Sequence, residues 1–382
     1  MAEVTYVKSL PEFLADLDAK GIYDVDREKA IINFIARKAR AHGVPVFGSF
    51  ELSPLCNLDC KMCYVHLTKR QMQDVSPLLS VEQWKSIMSQ ATDAGLYSAD
   101  LTGGECLLYP GFREIYLHLL SSGVRVSVLT NGRLLTDEMV AFFVKYPPEL
   151  IQVTLYGSNE DAYERVTGHR AFEEVFSGIQ RLKAANLKFK IAITFCKESK
   201  GDEMQLLSFV RSLDVPYTFD GAWLDARAEC ERCLEKFMPD ISCMAALKKS
   251  EMEYRAFTND NNSGDFHDCL YDYPAEYKAC GLPCGGAHSS YQINWRGEMN
   301  PCPSISDVNI PVLEYGFSES WKKLQNKMNE WIAPVECRSC KYERVCTSCP
   351  GEKTRGKFRE ALNIQVCRRL EKYLAEGIVK LQ

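Results

Sequence analysis

No apolar run of about 18 residues occurs anywhere in this chain, so the sequence offers no membrane-spanning helix. Its first residues, Met1-Ala2-Glu3-Val4-Thr5, lack the charged and apolar regions of a signal peptide, which points to the cytoplasm. Basic residues are not in surplus. Lys and Arg number 46 against 51 Asp and Glu, a net charge of −5, so no nucleic-acid partner is expected. Histidine is scarce, six in 382 residues, and none has metal-ligand spacing. At 46% hydrophobic and 25% charged, the chain has an ordinary globular composition and is long enough for a large core plus a smaller second unit.

Cysteine, by contrast, is abundant. Seventeen cysteines in a reducing compartment, where disulfides are rare, read as metal ligands. Zinc also takes thiolates from Cys-x2-Cys pairs and stays open for the C-terminal cysteines. The most informative group is Cys56, Cys60 and Cys63, spaced Cys-x3-Cys-x2-Cys, three thiolates from one short loop. A [4Fe–4S] cube has four irons, so three thiolates leave one iron without a protein ligand. Such an iron suits a small chelating molecule rather than simple electron transfer.

From Phe47 onward, short β-rich runs alternate with amphipathic stretches. Predicted strands are 48–52, 98–102, 125–130, 150–155, 188–195 and 217–219, and predicted helices are 81–94, 111–122, 136–145, 172–185 and 201–213. Ser80, Thr136 and Asp202 stand as helix caps or first-turn residues. Five crossovers joining six strands imply a parallel sheet with right-handed connections, in a barrel or a flat doubly wound form. Either form puts functional groups at the C-terminal ends of strands. The cysteine loop follows strand one, and Thr102-Gly103-Gly104-Glu105 follows strand two. Two glycines let backbone approach a ligand closely, and a carboxylate suits an ammonium group.

On these residues the chain resembles the radical S-adenosylmethionine (SAM) superfamily, of which Cys-x3-Cys-x2-Cys is the signature. The resemblance implies an α/β fold, a partial (β/α)6 TIM-like barrel, with Cys56, Cys60 and Cys63 on a [4Fe–4S] cluster whose open iron binds SAM. It further implies reductive cleavage of SAM to a 5′-deoxyadenosyl radical that removes a hydrogen atom from substrate. Gly103, Gly104 and Glu105 correspond to the motif that holds the SAM amino group, Tyr64 to an aromatic near the adenine, and Thr154 to a ribose contact. Arg165 is a positional analogue for neutralising the SAM carboxylate. Thr130-Asn131-Gly132 ends strand three as a similar run often does in these enzymes. Three positions depart from the pattern: Cys106 where proline is usual, Tyr156 where an acid is common, and Met62 where an aromatic is common.

The pattern changes after residue 225, and residues 259–265 are turn-rich. Beyond come Cys280, Cys284, Cys302, Cys337, Cys340, Cys346, Cys349 and Cys367, with a β-hairpin expected around Arg296-Gly297. Gly297-x4-Cys302 and Cys337-x2-Cys340-x5-Cys346 resemble the SPASM domain of peptide- and protein-modifying radical SAM enzymes. That implies two auxiliary [4Fe–4S] clusters, three clusters in all. One would use Cys284, Cys302 and Cys349 with Cys280 as a fourth ligand, the other Cys337, Cys340, Cys346 and Cys367. The remaining cysteines, Cys106, Cys196, Cys230, Cys233, Cys243 and Cys269, read as buried or loop thiols.

The division that follows is an N-terminal helical extension (1–45), a radical SAM partial barrel (46–225), a bridging region (226–279) and a SPASM domain (280–375). The resemblance implies a maturase that crosslinks a ribosomally made peptide through a thioether or carbon–carbon bond, fed by an external electron donor such as flavodoxin or ferredoxin. The first 45 residues read as two helices, 11–19 and 26–41. They are too short for a complete leader-binding unit, so a separate leader-recognition protein is a candidate partner. Alternatives are an anaerobic sulfatase-maturing enzyme, disfavoured by Pro303 where those relatives carry an acid, an enzyme acting on a small molecule, and a non-catalytic zinc or iron–sulfur scaffold. No catalytic base is legible; Asp220 and Asp225 are only positioned near the end of strand six.

Overall fold

Alternation of side chains builds the barrel. In the computed structural model, which describes residues 11–13, 15, 25–223, 234–258, 282, 284–331, 334–338, 340–342, 346, 349–355 and 361–379, strand β5 (Phe189–Phe195) turns Phe189, Ile191, Ile193 and Phe195 into the core. Lys190, Ala192 and Thr194 point to the other face, as a period of two requires. The same logic runs through β1 (Phe47–Glu51), β2 (Ser98–Thr102), β3 (Arg125–Thr130), β4 (Leu150–Leu155) and β6 (Tyr217–Gly221). All six predicted strands form, and they pair in parallel in the order β6-β5-β4-β3-β2-β1. Helices α3 (Val81–Asp93), α4 (Phe112–Ser121), α5 (Asp137–Lys145), α7 (Phe172–Ala184) and α8 (Glu203–Ser212) match the five predicted ones.

Caps set the helix starts. Ser80 and Gln83 form a reciprocal capping box, and Thr136 accepts from Met139 N–H. Asp202 makes no cap bond; its carboxylate instead accepts from Ser158, tying the loop after β4 to the start of α8. Described helices beyond the predicted set include α2 (Lys69–Val75), α6 (Glu160–Thr167) and α9 (Ile241–Thr258). The second predicted N-terminal helix is α1 (Val25–His42); of the first, residues 11–13 and 15 are described as helical. Cys230, Cys233, Cys269, Cys280 and Asp225 lie outside the described residues. Among the described residues, no helix is long and apolar enough to cross a membrane.

The predicted hairpin is present as β7 (Ser290–Ile293) and β8 (Glu298–Asn300), with Gly297 at φ +78° in the turn. Its placement differs from a self-contained C-terminal unit. Strand β7 pairs in parallel with β1, and β9 (Ile310–Pro311) follows β8, so nine described strands form one sheet. The physical reason is the free edge of β1, whose backbone groups need partners. Tyr291 of β7 meets Phe50 edge-on at 6.1 Å and packs on Phe317 and Trp321 of α10 (Phe317–Asn329) at 5.1 and 5.9 Å.

Candidate cofactor site at the C-terminal ends of the strands

The loop that carries the three cysteines is gripped through its backbone. On one side Gly104 N–H donates to Ser53 O at 2.7 Å and Glu105 N–H to Leu55 O at 2.9 Å. A Cβ on Gly103 would lie 2.5 Å from Ser53 O, and one on Gly104 would lie 2.4 Å from Leu55 O. Only glycine allows this approach. On the other side Asp59 and Lys61 N–H donate to the Thr167 and Val166 carbonyls, at 2.8 and 2.9 Å, in the last turn of α6. That helix ends at Gly168 in the left-handed conformation, φ +72°. From a third direction Arg133 donates to Asn57 O and pairs with Glu174 at 2.6 Å.

The polar groups within this frame converge on sulfur and on Glu105. Cys56 Sγ accepts from Leu58 N–H and from Asn131 Nδ2, both at 3.4 Å, and Cys63 Sγ accepts from His66 N–H at 3.2 Å. Glu105 is buried, yet its carboxylate accepts from Thr130 Oγ1 (2.8 Å), Asn131 N–H (2.7 Å) and Leu107 N–H (3.1 Å). Burial pushes its pKa upward against those bonds. Asn131 thus joins the two motifs, backbone to Glu105 and side chain to Cys56 and Asn57. Burial pushes the Cys56 thiol up to about 11 and Cys60 well above its ordinary value, with neighbouring sulfurs adding to the effect.

Three neighbouring thiols, Cys60 buried and Cys56 and Cys63 half-buried, fit a cationic metal group, which would stabilise thiolate. The fully buried Tyr163 hydroxyl, without a hydrogen-bond partner, also faces this region. Among the described residues no three His, Cys, Asp or Glu side chains converge tightly enough for a single metal ion. A four-iron cube instead spreads its thiolates over separate irons.

The remaining expected site residues are placed as follows. Tyr64 is half-buried directly after Cys63, and Thr154 lies on the inner face at the end of β4. Arg165 is exposed on the outer face of α6, opposite buried Ala162, Tyr163 and Val166. Cys106 is fully buried, its thiol donating to Leu129 O at 3.3 Å, which agrees with a loop-filling role. Asn131, Arg133 and Tyr163 were not singled out as site residues from sequence; the Thr130-Asn131-Gly132 run was the available signal.

Residues 50–210 match the radical SAM superfamily. The chain carries a radical SAM domain. Curated relatives include the antilisterial bacteriocin subtilosin biosynthesis protein AlbA of Bacillus subtilis (strain 168), 26% identical over 261 residues, 68% of this chain and 55% of AlbA. A PqqA peptide cyclase of Streptomyces rochei is 26% identical over 318 residues, 78% of this chain and 82% of that protein. The chain spans about half the length of AlbA. Among solved structures, Streptococcus suis SuiB bound to S-adenosylmethionine superposes with a TM-score of 0.67 at 17% identity, covering 93% of this chain and 86% of SuiB. SuiB has also been solved bound to the precursor peptide SuiA. The likeness to SuiB establishes the partial-barrel fold.

Outside residues 50–210 a second group of sulfurs flanks the β7–β8 hairpin, Cys284 before it and Cys302 and Cys349 after it. Burial raises Cys284 to about 11 and raises Cys302 further, with Cys349 disfavouring the thiolate of both and Cys284 that of Cys302. Gly286 sits against Cys284, its Cβ position 3.5 Å from the sulfur. Cys337 and Cys340 share one turn, with Cys340 N–H 3.4 Å from Cys337 O, and Cys340 Sγ accepts from Tyr342 N–H at 3.4 Å. Cys346 and Cys367 are half-buried.

Proposed function

We propose that this chain is a radical SAM enzyme that modifies a ribosomally made peptide. The observation that carries the reading is the three-cysteine loop clamped between the Gly103-Gly104-Glu105 turn and the end of α6, with Asn131 bridging sulfur to carboxylate. Cys56, Cys60 and Cys63 would hold a [4Fe–4S] cluster, and Gly103, Gly104, Glu105, Tyr64 and Thr154 would line the SAM site; Arg165, exposed on the outer face of α6, does not fit the expected contact to the SAM carboxylate. When bound, these groups supply a reducing electron and a 5′-deoxyadenosyl radical.

The chain's own residues orient and enclose. Glu105 Oε1 accepts from Thr130, Leu107 and, at 3.9 Å, the Cys106 thiol, whereas Oε2 accepts from Asn131 N–H, so Oε2 is the oxygen that would be offered to an ammonium. The Cys284, Cys302 and Cys349 group, with Cys280, and the Cys337, Cys340, Cys346 and Cys367 set would hold two auxiliary clusters in a SPASM domain over 280–375. A peptide substrate is supported by the relatives: a bacteriocin biosynthesis protein, a peptide cyclase and a protein solved with its precursor peptide. Formation of a thioether or carbon–carbon crosslink is the finer reading. Its partners would be an external donor such as flavodoxin or ferredoxin and a separate leader-recognition protein.

The deciding experiment is anaerobic reconstitution with iron and sulfide, addition of SAM and dithionite, and quantification of 5′-deoxyadenosine. Wild type should form the nucleoside, and the Cys56→Ala, Cys60→Ala, Cys63→Ala variant should not. Tightly bound zinc in place of iron, or no nucleoside from a fully loaded protein, would count against the proposal.

A further inference from the structure

Strand β3 runs out into a turn built on one side-chain amide. Asn131 Oδ1 accepts from Arg133 N–H at 3.0 Å, an Asx turn that decides which way the amide faces. Reversing it would set Nδ2 against that N–H, donor against donor. Nδ2 is thereby aimed at the cysteine loop, where it donates to Asn57 Oδ1 at 2.7 Å and to Cys56 Sγ at 3.4 Å, one acceptor for each of its hydrogens. The peptide N–H of the same residue donates to Glu105 Oε2 at 2.7 Å. Little in this arrangement can move. Asn131 is 5% exposed, Thr130 Oγ1 takes the Gly132 N–H at 3.1 Å, and Arg133 holds the Asn57 carbonyl while pairing with Glu174. Cys56 Sγ also accepts from Leu58 N–H, but that donor belongs to the cysteine loop itself. Asn131 reaches the sulfur from a separate element, across 75 residues of chain.

We propose that Asn131 is a positioning residue of the cluster held by this loop: its side-chain N–H bonds the Cys56 sulfur and raises the reduction potential. The proposal rests on the radical SAM reading above. A donor on a ligating sulfur stabilises the reduced cluster, which carries one more negative charge, and so makes reduction easier. The peptide N–H of Asn131 lies on Glu105 Oε2, the oxygen offered to the SAM ammonium. One residue therefore supports the amino-group site and tunes the cluster beside it. No electron or proton passes through Asn131, which acts on the cluster only through the sulfur.

Two variants separate electrostatics from shape. Asn131→Ala removes both the donor and the acceptor that closes the turn. Asn131→Asp keeps that acceptor, the size and the peptide N–H, but puts a carboxylate oxygen where Nδ2 stood. A purely structural role makes alanine the more disruptive, whereas tuning through the sulfur makes aspartate so, because a negative oxygen replaces a donor. The test is a potentiometric titration of the reconstituted proteins at about pH 8, where a carboxyl is ionised, followed by EPR of the signal that changes when SAM is added. At fixed potential and equal iron content, the reduced-to-oxidised ratio should be lower by about tenfold in Asn131→Ala, equivalent to ~59 mV for a one-electron couple. It should be lower again in Asn131→Asp. Tyr116→Phe, which loses a bond to the distant Tyr146 O, should match wild type. A potential in Asn131→Ala equal to that of wild type would overturn the proposal, and so would one in Asn131→Asp above that of Asn131→Ala. Should the alanine variant fail to retain iron, aspartate against wild type decides alone, and an equal or higher potential overturns it. Absence of any SAM-responsive cluster in wild type would instead remove the radical SAM reading, and this proposal with it.

Discussion

A methyl group added to Gly104 meets the Leu55 carbonyl oxygen at 2.4 Å, whereas one added to Gly123 meets nothing within 4 Å. The atom struck at Gly104 is backbone, so no side-chain rotation relieves it and the loop entering the cysteines must shift. Gly104→Ala is therefore expected to destabilise the fold by about 1–3 kcal/mol and to lose most of the iron retained by the first three cysteines. Denaturant unfolding and iron stoichiometry after desalting check both. Gly123→Ala should cost about 1 kcal/mol through its φ of +77° alone and keep its iron. The three cysteines themselves were legible because their spacing is local. Asn131 was not, since it reaches Cys56 across 75 residues, through the register of the parallel strands.

Among the elements, α9 is anchored by charge. Glu251, nearly buried, accepts from Arg211 at 2.8 Å, Arg255 at 2.6 Å and the Tyr217 hydroxyl at 2.8 Å. Burial alone would raise its pKa, but the bonds from Arg211, Arg255 and Tyr217 outweigh it and hold the carboxyl below the ordinary 4.5. A depressed carboxyl contributes stability that is fully present above about 4.5 and is lost as pH falls through the lower folded value. Glu251→Gln should cost about 3 kcal/mol at pH 7 by stranding two guanidinium groups, and the difference from wild type should shrink as pH drops below 4.5. Urea unfolding at several pH values measures it. The strands were readable because apolar alternation over five to seven residues is strong and is punctuated by turns. Helix α6 was missed because it has only eight residues and a mostly polar run. Asn159 and Gly168, its cap and its left-handed terminator, were the signal available.

At the scale of the whole molecule, the sheet does not stop where the barrel does. Gly48 is the hinge of that continuity, because a Cβ there would lie 2.6 Å from Tyr291 Oη and 2.9 Å from the Phe50 ring. Tyr291 has no room to retreat, being held between Phe50, Phe317 and Trp321. Gly48→Ala should cost about 2 kcal/mol and speed amide exchange in β1 and β7 together, as read by hydrogen–deuterium exchange; protection lost in only one of them would contradict the coupling. This pairing was not legible, because no local pattern tells residues 47–50 that their neighbours are residues 290–293. The same pairing fixes a timetable. Strand β1 waits for a partner made about 240 residues later, some 12–50 s at about 5–20 residues per second. Through that interval the six barrel strands can assemble while one edge of β1 stays open to any other extended chain. That edge gives a chaperone a reason to bind the nascent protein.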